Sequence, residues 1–390
     1  MRGVVVALLI VTSVPALVSQ PAGQGNEVTA SAVSAAIDKL GTLEFKARTE
    51  AARTVRRAAP AIAVPALTDA ALKHKDGYVR FRALVLLSGF NDPQTREVMV
   101  SVLGDKNDRL RAVAYAYFEH HPDPAVLPRL INALAQEESE FVRPALTRAL
   151  AAHGQDPRAR KAVLDLIPRG QDFFRSAIIE AAGDHKAAHA FDALTAVAKL
   201  EGPLQDDAVL ALGKIGDKRA LATFAALQRS GAPKHMQPTI AAAICLIGVN
   251  CASHQPYLVD TLKFSIETAG FQELLRGAAG GLAALAVSGN EEAFRTLIEL
   301  GGPSRDPARA AIALAIGTIA LRNTPLTLKV LADSKQQADG LELLREAFDM
   351  LEEDFIEERF FATVRRNFWQ AAEGSVARKT AEALIRKLEF

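Results

Sequence analysis

The sequence predicts an all-α protein, an α-solenoid of about ten or eleven antiparallel helix pairs. Three observations predict it. Apolar-arginine pairs recur at a fixed period: Leu110-Arg111, Val142-Arg143 and Phe174-Arg175 stand at equal intervals within the stretch Asp105–Gly183. Between them the sequence alternates helical runs with Pro-containing breaks such as His121-Pro122-Asp123-Pro124 and Gln155-Asp156-Pro157, so one period holds two helices. The composition agrees, because 49% of the 390 residues are apolar but only 6% are aromatic. Alanine supplies much of the difference, and it favours helix and close helix contact. Long alternating β-branched runs are absent, which argues against sheet. A unit of this length cannot bury its apolar stripe alone, so contiguous units stack.

Taken in order, the chain opens with Arg2 and an unbroken apolar run from Val4 to Val11, broken by Pro15 and followed by small and polar residues. This pattern predicts a cleavable signal peptide over 1–22, cut between Ser19 and Ala22, and hence a periplasmic or secreted protein. The run is shorter than the ~20 residues a bilayer span requires. No Cys follows it to carry a lipid, and no later charge-free segment reaches spanning length.

Residues 23–390 read as the solenoid. Helix pairs fall near 28–58, 60–90, 93–120, 124–153, 156–183, 187–214, 217–248, 254–287, 290–321, 324–352 and 354–389. Second helices carry apolar residues three and four apart, as in Val79, Ala83, Leu86 and Leu87, or Leu110, Ala114, Tyr117 and Phe118. The repeats lengthen and lose regularity over 231–289, where the stacking is expected to bend, and 354–389 reads as capping helices. The formal net charge of +1 gives no support to a nucleic-acid or anionic-membrane partner.

These residues carry a resemblance. Asp76-Gly77-Tyr78-Val79-Arg80-Phe81-Arg82-Ala83-Leu84 resembles the start of the inner helix of a HEAT repeat. Asp207 to Asp217 is similar to the bacterial, phycobilin-lyase-like variety. Pro65 precedes Arg80 by the same interval at which Pro128 precedes Arg143, near where the family kinks its outer helix. The family's acid–arginine ladder is expected in Asp105 with Arg111 and Glu137 with Arg143. The ladder arginine is missing near Leu210 and Ile240, and the acid is missing before Arg175, Arg276 and Arg309. The resemblance implies fold, not function. Arg80, Arg111, Arg143, Arg175, Arg276 and Arg309 would form either an anion-binding stripe or structural bridges between repeats. The spacing of the acids favours bridges.

Catalytic constellations are not found. His120 and His121 point about 100° apart on a helix and cannot chelate together. His185 and His189 are spaced i, i+4 without the partners of a His-Glu-x-x-His site, and read as a solvated helix start. The His-Glu dipeptides of iron-binding HEAT-like hydroxylases, nucleophile elbows, phosphate loops and haem motifs are absent. The charge balance argues against a HEAT-like DNA glycosylase, and nothing marks a bilin lyase. No metal or cofactor is expected.

Near the C-terminus, Ile356, Phe360, Phe361, Val364 and Phe368 share one helix face, with Phe355 and Trp369 outside it. Such a helix is either an aromatic docking surface or a helix packed between two neighbours, and the second fits a solenoid better. Cys245 and Cys251 are the only cysteines. In one continuous helix they could not meet, but Gly248 and Asn250 stop the helix between them and let the chain fold back. An exported protein would favour a disulfide there; the alternative is two separate thiols.

The expected function is a non-catalytic scaffold holding a protein or peptide along its concave face. Phe81, Arg82, Tyr115, Arg148 and Glu180 are expected to point into it. The alternative is an exported HEAT-like enzyme or accessory factor acting on a small molecule or another protein's cofactor. A deep pocket with convergent His, Asp or Glu and shifted pKa values would favour that alternative.

Overall fold

A computed structural model of the protein describes residues 28–390, apart from residues 269, 352 and 353. The expected signal peptide at 1–22 lies outside them. The described residues form 22 α-helices and no strand. In order the helices are α1 (Ala30–Lys39), α2 (Phe45–Arg57), α3 (Pro60–Lys73), α4 (Gly77–Ser88), α5 (Gln94–Val102), α6 (Asp108–His120), α7 (Leu127–Gln136), α8 (Arg143–Ala152), α9 (Pro157–Leu166), α10 (Asp172–Asp184) and α11 (Phe191–Ala198). The second half comprises α12 (Gln205–Ile215), α13 (Ala220–Arg229), α14 (Met236–Leu246), α15 (Cys251–Glu267), α16 (Gln272–Val287), α17 (Glu291–Gly301), α18 (Ala308–Arg322), α19 (Thr324–Leu331), α20 (Ser334–Met350), α21 (Asp354–Gln370) and α22 (Val376–Leu388). Consecutive helices pack in pairs, and the even-numbered helices from α4 to α20 each pack on the next to make the inner layer of an α-solenoid. Among the described residues no single helix is long and apolar enough to cross a membrane.

The breaks work as their residue types dictate. Asp76, Asn107 and Asp156 cap α4, α6 and α9 by accepting the backbone N–H of Tyr78, Arg109 and Arg158. Pro65 lies inside α3, whereas Pro128 falls in the first turn of α7, where its missing N–H leaves no bond unmade.

Inner helices touch a neighbour on each side, so they bury more than one stripe. Val79, Phe81 and the whole run Ala83–Leu87 of α4 are buried. Close stacking needs small residues. A Cβ on Gly183 would stand 2.8 Å from the Ala211 Cα, and one on Gly213 would stand 2.5 Å from the Ala243 Cα. These glycines occupy one phase of successive repeats, and each lets two inner helices meet backbone to backbone.

The arginine ladder exists, with a different pairing from the one expected. Asp105 takes the Arg80 guanidinium of the preceding repeat, at 2.5 Å. Glu137 likewise takes Arg111 through Nε at 2.8 Å and Nη2 at 2.7 Å. The short-range relation of Asp105 to Arg111 is a main-chain contact, in which Arg111 Nη1 donates to the Asp105 carbonyl at 2.7 Å. Arg143 does not pair with Glu137; its guanidinium lies 5.6 Å from the centre of the Phe174 ring. The physical reason is reach: the acid sits in the turn between two repeats, facing the side chain that arrives from the earlier inner helix. Arg111→Ala is therefore expected to cost about 2 kcal/mol, since it strands a nearly buried Glu137 carboxylate, and Arg143→Ala less than about 1 kcal/mol. Urea unfolding of the two variants side by side checks the order.

In the irregular segment, Gly248 (φ 83°) and Asn250 (φ 48°) turn the chain between α14 and α15. The structure joins Cys245 to Cys251 as a disulfide across this turn, with Cα atoms 4.4 Å apart. In this segment Ile240, Ile244, Leu258, Leu262 and Leu275 are buried, while Phe271 is 43% exposed against Phe264.

The last pair departs from simple stacking. Helix α21 packs on α18, α19 and α22, and also on α4 and α6. Its Phe360 and Val364 belong to the C-terminal core, whereas Phe355 belongs to the N-terminal one. The helix thus has two apolar faces because it lies between two bodies, and the second body is the N-terminal end of the solenoid. Arg53 reinforces the junction by donating to the Glu389 carbonyl at 2.8 and 3.1 Å. The Arg56 guanidinium meets Glu358 at 2.6 Å. The solenoid closes on itself, and α21 spans its concave side.

Candidate functional site: a walled cavity on the concave face

Closure turns the concave groove into a cavity of about 760 Å³. Its walls come from successive inner helices, from the turns that lead into them and from α21. A second hollow of about 740 Å³ adjoins it and shares Glu180, Asp184, Lys214 and Arg322.

The floor is a network of charges. Arg148 of α8 donates through Nε to both Glu119 oxygens at 3.0 and 3.1 Å and through Nη2 to Asp184 at 2.8 Å. Asp184 also takes Lys214 at 2.7 Å and Arg322 at 3.0 Å. The Arg322 contact reaches across the cavity between residues 138 positions apart. His185 Nε2 lies 3.3 Å from Glu119. Burial pushes the Glu119 carboxyl up, but His185 and Arg148 outweigh it and bring it down to about 2. Asp184 is held below the ordinary carboxylate range: burial opposes this, and Lys214, Arg322 and Arg148 prevail. Both carboxylates are therefore ionised and already partnered at neutral pH. Glu180 differs. Its side chain is 49% exposed, but enclosure by the cavity walls, with Asp207 adding to it, pushes its carboxyl up against Lys214, Arg148 and Arg322.

The walls are apolar. Phe81, Phe141, Phe173 and Phe355 all line the cavity; Phe81 and Phe355 are buried, whereas Phe141 and Phe173 are 68% and 66% exposed. His120, stacked on Phe355 with ring centres 6.0 Å apart, has a buried Nε2 with no partner among the described residues.

Of the residues expected on the concave face, Phe81, Arg148 and Glu180 line the cavity. The Arg82 guanidinium lies 5.9 Å from the Phe81 ring centre, outside the lining. Tyr115 does not point into the groove. It is 1% exposed in the inner-layer core, its hydroxyl donates to the Leu103 carbonyl at 3.5 Å, and burial pushes its pKa up to about 12. The physical reason is phase: Ala112, Ala116 and Glu119 carry the face of α6 that lines the cavity, and Tyr115 is turned about 100° from Ala116, toward the Leu103 carbonyl. His185 and His189 do not share a helix face either, because Lys186 between them adopts φ 49° and ends α10. His185 is a partner of Glu119 rather than part of a solvated helix start.

Several lining residues were not expected: Glu119, His120, Asp184, Lys214, Arg322 and Arg359. One signal was available for the exposed aromatics. Phe141 and Phe173 each precede a repeat arginine by two positions, one repeat apart. Arg322 and Arg359 reach the site only through the closure.

Residues 101–183 match the profile of HEAT repeats. YibA of Escherichia coli is similar in structure at 20% identity and a TM-score of 0.41, over 56% of this protein and 81% of that one. The complex of CpcE and CpcF of phycocyanin lyase from Nostoc is similar at 18% identity and 0.41, over 67% and 97%. A homology model of the full-length AP-3 complex is similar at 13% identity and 0.36, over 92% and 82%. No curated protein matches the sequence. Residues 101–183 thus carry HEAT repeats, and the described residues as a whole, with their inner helices stacked on one another, form an α-solenoid of HEAT-like repeats.

Proposed function

We propose that the protein is a non-catalytic binding scaffold of the cell envelope that takes a short protein segment into the cavity on its concave face. The observation that carries this reading is the pairing of exposed Phe141 and Phe173 with a floor of fixed charges. Large aromatic surface left in contact with water beside preorganised polar groups is the composition of a recognition site. The span of α21 across the concave side limits the partner to a short inserted segment rather than a long peptide laid along every repeat. The apolar run Val4–Val11 supports export, and so an envelope or secreted partner.

The tagged protein, used to capture partners from its native envelope fraction, tests this. The double variant Phe141→Ser, Phe173→Ser should lose at least about tenfold in the partner retained, the usual loss at an aromatic hot spot. Its unfolding midpoint should stay close to wild type, because both rings are exposed. Equal capture by the variant would overturn the reading.

The accessory-factor reading has one observation in its favour. Acids and histidines do converge in the cavity, and Glu180 carries a raised pKa without a short ion pair to hold it ionised: the Arg148 guanidinium is 3.9 Å away. The downward shifts of Glu119 and Asp184 arise from the Arg148–Asp184 network itself, as structural ion pairs also produce them. Turnover of a small molecule lost on Glu180→Gln, with capture intact, would replace the scaffold by this alternative.

A further inference from the structure

We propose that the cavity holds its ligand by a carboxylate, received by the guanidinium of Arg359 on α21 beside Arg322 on α18, with an aromatic body resting toward Phe141 and Phe173. The inference names the ligand chemistry of the site described above and rests on the reading of that cavity as a recognition site.

The argument begins with charge. Five cations line the cavity, Arg148, Lys186, Lys214, Arg322 and Arg359, against three acids, Glu119, Glu180 and Asp184. Asp184 alone is shared by Arg148, Lys214 and Arg322, and Glu119 is shared by Arg148 and His185. These two acids are thus used up within the floor. The Arg359 guanidinium receives none of the three and has no hydrogen bond or ion pair among the described residues. It is half-buried all the same. Burial holds it below the usual range and Arg322 adds to this, while Glu119 acts the other way from a distance.

A partly desolvated guanidinium without a counter-ion is costly. Its planar fork matches a carboxylate in geometry and charge. Lys186 also has no ion pair among the described residues but is exposed to water, so the partly buried Arg359 is the cation that calls for a negative charge. The exposed phenylalanines lie in the same cavity, so a ligand with an aromatic or apolar body next to its carboxylate meets both demands. Within a protein, such a group is an acidic side chain or a C-terminal carboxylate beside an aromatic residue. Because Arg359 stands on the closing helix, a carboxylate there also ties the ligand to the closed form.

Isothermal titration calorimetry on the full protein tests the proposal with two probes, 3-phenylpropionate and its neutral amide. Wild type should prefer the carboxylate by roughly 10- to 100-fold, the worth of a hydrogen bond to a charged group. Arg359→Gln should erase the preference, and Arg359→Lys should keep part of it. Equal binding of the two probes by wild type, no binding of either, or a preference that survives Arg359→Gln would each overturn the carboxylate site. Arg322→Gln, on the other side of the same pocket, serves if the Arg359 variant does not fold, and a full preference retained there would count against the site.

The envelope capture separates this proposal from the scaffold reading. A carboxylate preference without any captured protein would sink the scaffold and assign the site to a small carboxylic acid. Capture undiminished in Arg359→Gln would sink the carboxylate site and leave the scaffold.

Discussion

Glu358→Ala is expected to lower stability by about 3–5 kcal/mol and to open the solenoid, the cost of stranding buried charge when one partner of an ion pair is removed. Glu358 on α21 has a fully buried side chain, 0% exposed. Its Oε2 takes Arg56 through Nε at 2.8 Å and Nη2 at 2.6 Å, and its Oε1 takes Arg365 at 3.1 Å. Arg56 belongs to α2, far earlier in the sequence, and its own side chain is only 7% exposed. Without the carboxylate, two guanidinium groups from opposite ends of the molecule would face each other out of water. Separation of α21 from the N-terminal helices is the available relief.

Small-angle X-ray scattering should therefore show a larger radius for the variant, and urea unfolding an earlier transition. High salt should not reproduce the effect, because the pair is shielded from solvent ions. Gly89→Ala strikes the same junction from the other side, since its Cβ would run into the Glu358 carboxylate and Arg365. A loss below about 1 kcal/mol in Glu358→Ala with unchanged scattering would mean that the closure does not depend on this cluster.

The closure marks the limit of what the sequence discloses. Helix pairs are legible because their signals are local: a capping Asp76 or Asn107, a Pro-containing break, an apolar residue every third or fourth position. Stacking is legible because the same signals recur. The period cannot say with which neighbour a residue pairs. An acid that shortly precedes one repeat arginine also follows the arginine of the repeat before, and the structure uses that longer relation for side chains. The shorter relation goes to main-chain carbonyls. The misplacement of Tyr115 has a similar origin. A helix wheel finds the apolar stripe, but α6 is packed from two sides at once, and a tyrosine can bury its ring wherever one carbonyl accepts its hydroxyl.

The site is less legible still. Arg148 and Glu180 share a phase of the repeat, so their common face could be read. The charges that complete the floor depend on accumulated curvature, which brings Arg322 to Asp184 and α21 to α6. Curvature is a sum of small rotations between repeats. No single stretch of sequence encodes it. The disulfide at Cys245 and Cys251 is the opposite case, since Gly248 and Asn250 between them announce the turn that lets the sulfurs meet.

His120 should make the closed form sensitive to acid well above the range in which Glu119 and Asp184 titrate. Its ring lies against Phe355 of α21, and its Nε2 is buried. Burial pushes its pKa down to about 3 from an ordinary 6.5, with Arg359, Arg148 and Arg322 adding to the shift and Glu119 opposing it. In the unfolded state the imidazole takes a proton as pH falls below about 6.5, and in the closed form it stays neutral until about 3. The unfolded state therefore binds more protons throughout that window, and stability falls as pH is lowered, at up to ~1.4 kcal/mol per pH unit. Between pH 6.5 and 5 this one group should remove about 2 kcal/mol. Glu119, whose carboxyl is brought down from 4.5 to about 2, loses its contribution only below about 4.5, so the two effects separate on the pH axis. Urea midpoints measured at pH 7, 6 and 5 should fall steeply in wild type and much less in His120→Gln. The residual slope belongs to His121 and His189, which are also shifted downward by burial. Identical slopes in the two proteins would place the acid sensitivity elsewhere. The proton also acts at the junction itself: releasing α21 removes Phe355 from the imidazole and restores its hydration. Scattering at pH 5 should accordingly show the opened form in wild type before it unfolds, and the closed form persisting in His120→Gln.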